Sequence, residues 1–178
     1  GAGSVSDIHI GETEDDIYIT YYNYGLSGNV LYSSDGGTTF NNKEGDFPNI
    51  PVFSILHNPY ESEEVIIGTE LGVWRTADFS NSNPSWSIAE VGMSDVAVYD
   101  MVFRGTSALD NRVVAATYGR GIYVGSFEAN TNPPISQTDS ITVAEGETAT
   151  TTTGGATSVL ANDSDPDGDP ITSSVVTN

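Results

Sequence analysis

The chain has 178 residues, with 25 Asp and Glu against 5 Lys and Arg, and a formal net charge of −20. That balance excludes nucleic acid as a partner, since no basic stripe exists to neutralise phosphates, and it argues against an anionic membrane surface. There is no cysteine, so disulfides and thiolate metal sites are excluded, and no apolar run is long enough for direct membrane insertion.

Alternation of Val, Ile and Tyr with polar residues, bounded by Gly, Pro, Asn and Asp, predicts strands and no amphipathic helix. The first strand is expected over 5–10, followed by an acidic loop over 12–16 and a second strand over 16–22. A third strand over 29–33 runs into Ser33-Ser34-Asp35-Gly36-Gly37-Thr38-Thr39-Phe40. The glycines there allow the positive φ of a tight turn, and Asp35 is placed to accept hydrogen bonds from the turn's N–H groups. Phe40 opens the return strand. The run fits Ser-x-Asp-x-Gly-x-Thr-aromatic at every defined position and resembles the Asp-box of secreted β-propellers, the sialidase-like and BNR-repeat proteins. Phe40 stands where those proteins usually carry Trp. The resemblance implies a structural role for Ser33, Asp35, Gly37, Thr39 and Phe40.

The unit then repeats. Val5, Val52 and Val98 open similar segments 47 and 46 residues apart. Second strands are expected at 64–69 and 112–117, and third strands at 72–76 and 121–125. Residues 65–76 (VIIGTELGVWRT) align without gaps on 114–125 (VAATYGRGIYVG). Thr76-Ala77-Asp78 sits where Ser33-Ser34-Asp35 sits, and Trp86 takes the place of Phe40 after a longer turn, as a degenerate second Asp-box. Short strands recurring every ~40–50 residues are the signature of propeller blades, of which a ring needs about four to eight. The expected fold is therefore all-β: about three four-stranded propeller blades, at about 1–46, 47–92 and 93–127, forming the C-terminal part of an incomplete propeller. The remaining blades are expected upstream or in other chains.

Residues 128–138 read as a linker. From Asp139 the composition shifts to Thr, Ala, Gly, Ser and Asp, with a strand pair expected over 141–150. The run from Ser158 to Thr172, with Val-Leu-Ala-Asn-Asp and then Asp-Pro-Asp-Gly-Asp-Pro, resembles the opening of the cadherin-like or Ig-like tandem domains of bacterial surface adhesins. This implies that 139–178 begin an Ig-like or cadherin-like β-sandwich. Asp163, Asp165, Asp167 and Asp169 alternate with small or rigid residues, so their oxygens can converge on one hard cation. Calcium, which takes six to eight oxygens, is the possible cofactor, with Glu145 as a further ligand. The EF-hand template fits through Gly168 and then fails, with Ser174 at its last position. A solvated acidic turn is the alternative.

Propeller geometry puts the loops over 12–16 and 61–64 on the Asp-box side, as a solvated rim. The opposite face carries Tyr22, Tyr24, Glu70, Tyr118 and Arg120, aromatics beside a carboxylate and an arginine that could grip a sugar; packing of a long loop is the other reading. Asn23, Asp46 and Asp95 belong to the same face. Sialidase chemistry needs an arginine triad and a Tyr–Glu pair, and Arg75, Arg104, Arg112 and Arg120 do not assemble one. No catalytic residue is assigned. Two histidines, His9 and His57, fall at non-equivalent repeat positions and are read as structural. The segments Asn23-Tyr24-Gly25, 42–48 and 116–121 resemble the closing blades of large exported propellers of Bacteroidetes-type bacteria, proteins like glycosidases in fold but usually without defined activity.

The expected function is a non-catalytic binding or structural segment of a large secreted or cell-surface bacterial protein. Its propeller would bind glycan or extracellular protein, and calcium would stiffen an adhesin-like stalk. One alternative is the C-terminal part of a propeller glycoside hydrolase, sialidase-like or xyloglucanase-like, with catalytic residues upstream. Another is a subunit of an extracellular assembly completed by strand addition.

Overall fold

A computed structural model describes residues 3–25, 27–89, 92–93, 95–107, 110–127, 134–165 and 171–174. The chain divides into two compact units, Gly1–Ala129 and Asn130–Asn178.

The first unit holds three antiparallel sheets built in sequence order. Sheet one is β1 (Ser4–Ile10), β2 (Ile17–Tyr22), β3 (Val30–Ser33) and β4 (Asn41–Asn42). Sheet two is β5 (Val52–Asn58), β6 (Glu61–Thr69), β7 (Gly72–Thr76) and β8 (Ser87–Ile88). Sheet three is β9 (Val98–Ser107), β10 (Asp110–Thr117) and β11 (Gly121–Gly125), three strands among the described residues. Each sheet is a meander in which neighbours in sequence are neighbours in space, as short connections between antiparallel strands dictate. The first strand of each sheet packs on that of the next, β1 on β5 and β5 on β9.

The middle sheet is covered on both faces. Side chains alternate across a strand, so Ile55, Val65 and Ile67 face one way and Leu56 and Ile66 the other. The first set joins Tyr18, Val30, Phe47, Phe79 and Trp86 in a core shared with sheet one. The second joins Val98, Met101, Val113, Ala115 and Phe127 in a core shared with sheet three. That double burial is why every residue of β5 is buried. Gly68 lets sheets two and three meet closely: a Cβ there would lie 2.8 Å from the Val98 carbonyl oxygen.

Polar side chains tie sheet one to sheet two. The Ser6 hydroxyl donates to the Val52 carbonyl at 2.7 Å, and the Asp7 carboxylate accepts the Ile55 N–H at 3.0 Å. Lys43 Nζ donates to the carbonyls of Phe79, Ser80 and Asn81 at 2.8, 3.2 and 2.8 Å. An ammonium this dry is tolerable because those carbonyls replace its water.

Two expectations are corrected. Residues 61–64 are not a solvated loop: β6 begins at Glu61, and Glu64 is 2% exposed. Its carboxylate accepts Arg75 Nε at 2.6 Å and Asn58 Nδ2 at 2.7 Å, so the buried charge is paired and hydrogen-bonded. In the second unit, the strand pair expected over 141–150 is absent. A turn does form there, with Gly146 at φ 84° and Glu147 N–H bonded to the Ala144 carbonyl at 3.0 Å, but its flanks are not laddered. Ile141 and Val143 stay exposed, so the segment has no apolar face to hold a hairpin together. Among the described residues of this unit, the β-pairing is a bridge between Ile135 and Ser164.

Candidate functional site

The turn after β3 is built as its residue types demand. Gly36 and Gly37 have φ of 67° and 85°, conformations that a side chain would strain. Asp35 Oδ1 accepts the Thr39 N–H at 2.8 Å and the Ser33 hydroxyl at 2.8 Å, and Oδ2 accepts the Thr39 hydroxyl at 2.6 Å. Ser33 Oγ in turn accepts the Gly37 N–H at 2.9 Å. The bonds from Thr39, then that from Ser33, hold the Asp35 carboxyl down to about 2. Phe40 follows, partly exposed, beside Gly37. Sheet two reproduces the arrangement. The Thr76 hydroxyl donates to Asp78 Oδ1 at 2.7 Å and the Ser85 N–H donates to the same oxygen at 3.0 Å. Thus Ser85-Trp86 stands for Thr39-Phe40, three residues later.

The face at the other end of the strands carries an aromatic row. Tyr22, at the end of β2, lies 5.5 Å from Phe53 on β5. Phe53 stacks on Tyr99 of β9 at 4.4 Å and 27°, and Tyr99 lies 5.9 Å from Tyr118 in the β10–β11 turn. The row therefore crosses all three sheets. Phe53 is buried beneath it, whereas Tyr22, Tyr99 and Tyr118 are half or more exposed. Beside the row, the Tyr24 hydroxyl donates to Glu70 Oε2, and this bond to a carboxylate pushes the phenol up to about 12. The Gly25 N–H donates to Asn49 Oδ1 at 3.1 Å.

The structure thus brings Tyr22 and Tyr118 into one row and pairs Tyr24 with Glu70. Arg120 is exposed on the β10–β11 turn, whereas Asp46, expected on this face, lies instead against the Asp78 turn, where it accepts the Trp86 N–H at 2.6 Å. Phe53 and Tyr99 are missed by sequence reasoning. The signal was present: each follows a repeat-opening valine, Val52 and Val98.

On the side of the Asp35 turn, His9 Nε2 and His57 Nδ1 share a hydrogen bond of 2.8 Å, with His57 stacked on Tyr18 at 5.7 Å. The two residues occupy different repeat positions, so the repeat gave no hint of the pair. Burial lowers both, with mutual repulsion adding to the effect on His9 and Asp16 opposing it at His57.

In the second unit, Asp163 Oδ1 accepts the Gln137 N–H at 2.7 Å, beside the Ile135–Ser164 bridge. Glu145 sits in the turn at Gly146. Asp165 is among the described residues, whereas Asp167 and Asp169 lie outside them. Among the described residues no three His, Cys, Asp or Glu side chains are grouped to hold a metal ion.

Residues 130–178 match the family model of the bacterial Ig domain. No curated protein matches the chain. Among solved structures, the chain is similar to the crystal structure of an ancestral GH74 enzyme, with 18% identity and a TM-score of 0.54 over 74% of this chain. The match spans 18% of that enzyme's chain, so this chain corresponds to a small part of it. GH74 is a seven-bladed β-propeller, and the likeness concerns fold. The chain is thus an all-β protein of three antiparallel, propeller-like sheets followed by a bacterial Ig domain.

Proposed function

We propose that the three sheets are blades of a non-catalytic, glycan-binding propeller, carried with the Ig domain in a secreted or cell-surface bacterial protein. The observation that carries this reading is the row Tyr22–Phe53–Tyr99–Tyr118, which offers three exposed tyrosines on a face away from the Asp35 and Asp78 turns. Tyrosine rings present an apolar face to the C–H groups of a sugar and a hydroxyl to its oxygens. Their buried support, Phe53, fixes the spacing at little further entropic cost. Glu70 and Asn49, already ordered by Tyr24 and Gly25, add acceptors beside the row. In the Ig domain, Asp163, Asp165, Asp167 and Asp169, with Glu145, are proposed to take calcium and stiffen a stalk.

Affinity electrophoresis of the whole chain through gels containing neutral and acidic polysaccharides tests the glycan reading. Retardation by at least one polysaccharide, abolished by Tyr99→Ala and Tyr118→Ala, is expected. Free migration in every gel, or retardation indifferent to both changes, overturns it and leaves an extracellular protein as the ligand class to pursue. A second reading, part of a propeller glycoside hydrolase with catalytic carboxylates on other blades, is favoured by the fold likeness to a GH74 enzyme. Release of reducing ends by the whole parental protein would establish it.

A further inference from the structure

Two features at the strand ends near the Asp35 turn have no part in the tyrosine row: the carboxylates around the β1–β2 and β5–β6 connections, and the histidine pair. A cavity of about 440 Å³ between sheets one and two brings them together. Glu12 and Asp16 enter its wall from the β1–β2 connection, Glu63 from β6 and His57 from β5. Tyr18, Tyr32 and Phe79 supply aromatic surface. Ser34, next to Asp35, also lines it, so the cavity lies at the opposite end of sheet one from Tyr22.

Part of this wall is already fixed by hydrogen bonds. The Tyr32 hydroxyl donates to Asp16 Oδ1 at 2.6 Å, and the Ser80 N–H donates to Glu63 Oε2 at 2.9 Å. Lys43 also lines the cavity, but its ammonium is bonded to the carbonyls of Phe79, Ser80 and Asn81. Three carboxylates therefore share the wall with one engaged ammonium, which leaves an excess of negative charge. His57 is the group left unsatisfied. It is 8% exposed, its Nδ1 is taken by His9, and its Nε2 is buried without a hydrogen-bond partner among the described residues. His9 is not part of the cavity wall, so the edge of the His57 ring that reaches the cavity is the one carrying Nε2. A buried polar atom in that state costs stability until something bonds it.

We propose that this cavity binds a small molecule bearing a primary ammonium group, an amino sugar or an aliphatic amine. Glu12, Asp16 and Glu63 neutralise the ammonium, and the rings of Tyr18 and Tyr32 add cation–π attraction. A bare metal ion fits less well. No three of the described carboxylate and imidazole groups converge to hold one, whereas a molecular cation spreads its donors over a wider wall. The volume is that of a small-molecule site and more than one lysine side chain would fill. The histidine pair adapts to what enters. One proton lies between His9 Nε2 and His57 Nδ1. With that proton on His57, Nε2 offers a lone pair to an N–H or O–H; with it on His9, Nε2 carries its own proton and donates to an oxygen. The inference is independent of what the tyrosine row binds.

The test is calorimetric titration of the whole chain in about 0.15 M sodium chloride, which screens the general attraction of a net charge of −20. The probes are glucosamine, putrescine and N-acetylglucosamine, the last without a charge. Saturable one-to-one binding of at least one amine is expected, with N-acetylglucosamine at least tenfold weaker. Tighter glucosamine assigns an amino sugar, and tighter putrescine an aliphatic amine. The double change Glu12→Gln, Glu63→Gln should weaken binding at least tenfold, and so should His57→Phe, which leaves the net charge at neutral pH unaltered. In the wild type, the bound amine should also shift the imidazole nitrogen resonances of His57, one of two histidines in the chain. Equal binding of glucosamine and N-acetylglucosamine overturns the proposal, as does affinity unmoved by His57→Phe or no saturable binding of either amine. The resonance shift leaves the protein unchanged, so it decides even where His57→Phe does not fold. Tyr99→Ala and Tyr118→Ala should bind the amine as the wild type does, so this proposal and the glycan reading fail separately.

Discussion

Asp35 and Thr39 are bonded twice, main-chain N–H to Oδ1 at 2.8 Å and hydroxyl to Oδ2 at 2.6 Å, which closes the turn between β3 and β4. Asp35→Ala leaves the Thr39 and Ser33 donors without their acceptor and is expected to lower Tm by about 5 °C. Asp35→Asn keeps one acceptor oxygen and costs less. The carboxyl is depressed from 3.8 to about 2, so its contribution is complete above the unfolded value and is lost as pH falls through about 2. The gap in Tm between wild type and Asp35→Asn should therefore close between pH 4 and pH 2. Polysaccharide retardation should be untouched by either change, because Ser33 pairs with Ile17 at the end of β2 opposite Tyr22.

Glu64 is sealed between Asn58 and Arg75. Arg75→Ala leaves a buried carboxylate without its cation and is expected to destabilise the unit by about 3 kcal/mol in urea unfolding. The double change Glu64→Leu, Arg75→Met removes both charges and should recover most of that loss. If the double variant is no better than Arg75→Ala, packing around the stems outweighs the buried charge.

The three sheets were legible because the repeat carries two independent signals, alternating apolar residues and a turn whose glycines and aspartate admit few substitutes. Val5, Val52 and Val98 each open a first strand or follow its first residue, and the gapless match of 65–76 to 114–125 fixes β7 against β11. The sequence could not show that β6 starts at Glu61, since four polar residues beyond Pro59-Tyr60 read as a loop unless Arg75 is known to lie across the sheet. The same limit hid Tyr99. An aromatic at a strand start is ambiguous until Phe53 is seen stacked on it from the next sheet. Over 141–150 the pattern of β-branched residues was correct for strands, but propensity without an apolar face to bury makes no ladder.

His9 and His57 are both held below 6.5, chiefly by burial. Neutral in the fold, they take up protons on unfolding, so their effect is to make stability complete above about pH 6.5 and to erode it as pH falls below that value. Asp7 beside His9 and Asp16 beside His57 oppose the trend without reversing it. Urea midpoints of the wild type should therefore decline from pH 7 to pH 5. In His57→Phe, which keeps a ring against Tyr18, the decline should be shallower. Parallel profiles for the two proteins would show that carboxylates alone set the acid sensitivity.

Within the tyrosine row, support and contact should separate. Phe53 is 8% exposed, and Phe53→Ala is expected to cost about 3 kcal/mol by opening a cavity beneath Tyr22 and Tyr99. Tyr118, 74% exposed, should cost almost nothing in urea unfolding when changed to Ala, yet reduce polysaccharide retardation. Equal effects of Tyr118→Ala on both measurements would mean that the ring braces the β10–β11 turn instead of meeting a ligand.

Calcium should act on the Ig domain alone. Asp163 spends Oδ1 on the Gln137 N–H, so a cation drawn to the alternating aspartates would also fix the Ile135–Ser164 bridge that this bond adjoins. Four carboxylates at alternate positions repel one another unless a cation screens them, and a divalent ion does so far better than added sodium at equal ionic strength. Limited proteolysis between residues 162 and 171 should therefore slow severalfold in millimolar calcium, with the rate restored by chelator. The combined change Asp167→Asn, Asp169→Asn should abolish the calcium effect and leave the Tm of the first unit where it was. Cleavage at the same rate with and without calcium would remove the cation from the account and leave Asp163 as a purely structural acceptor.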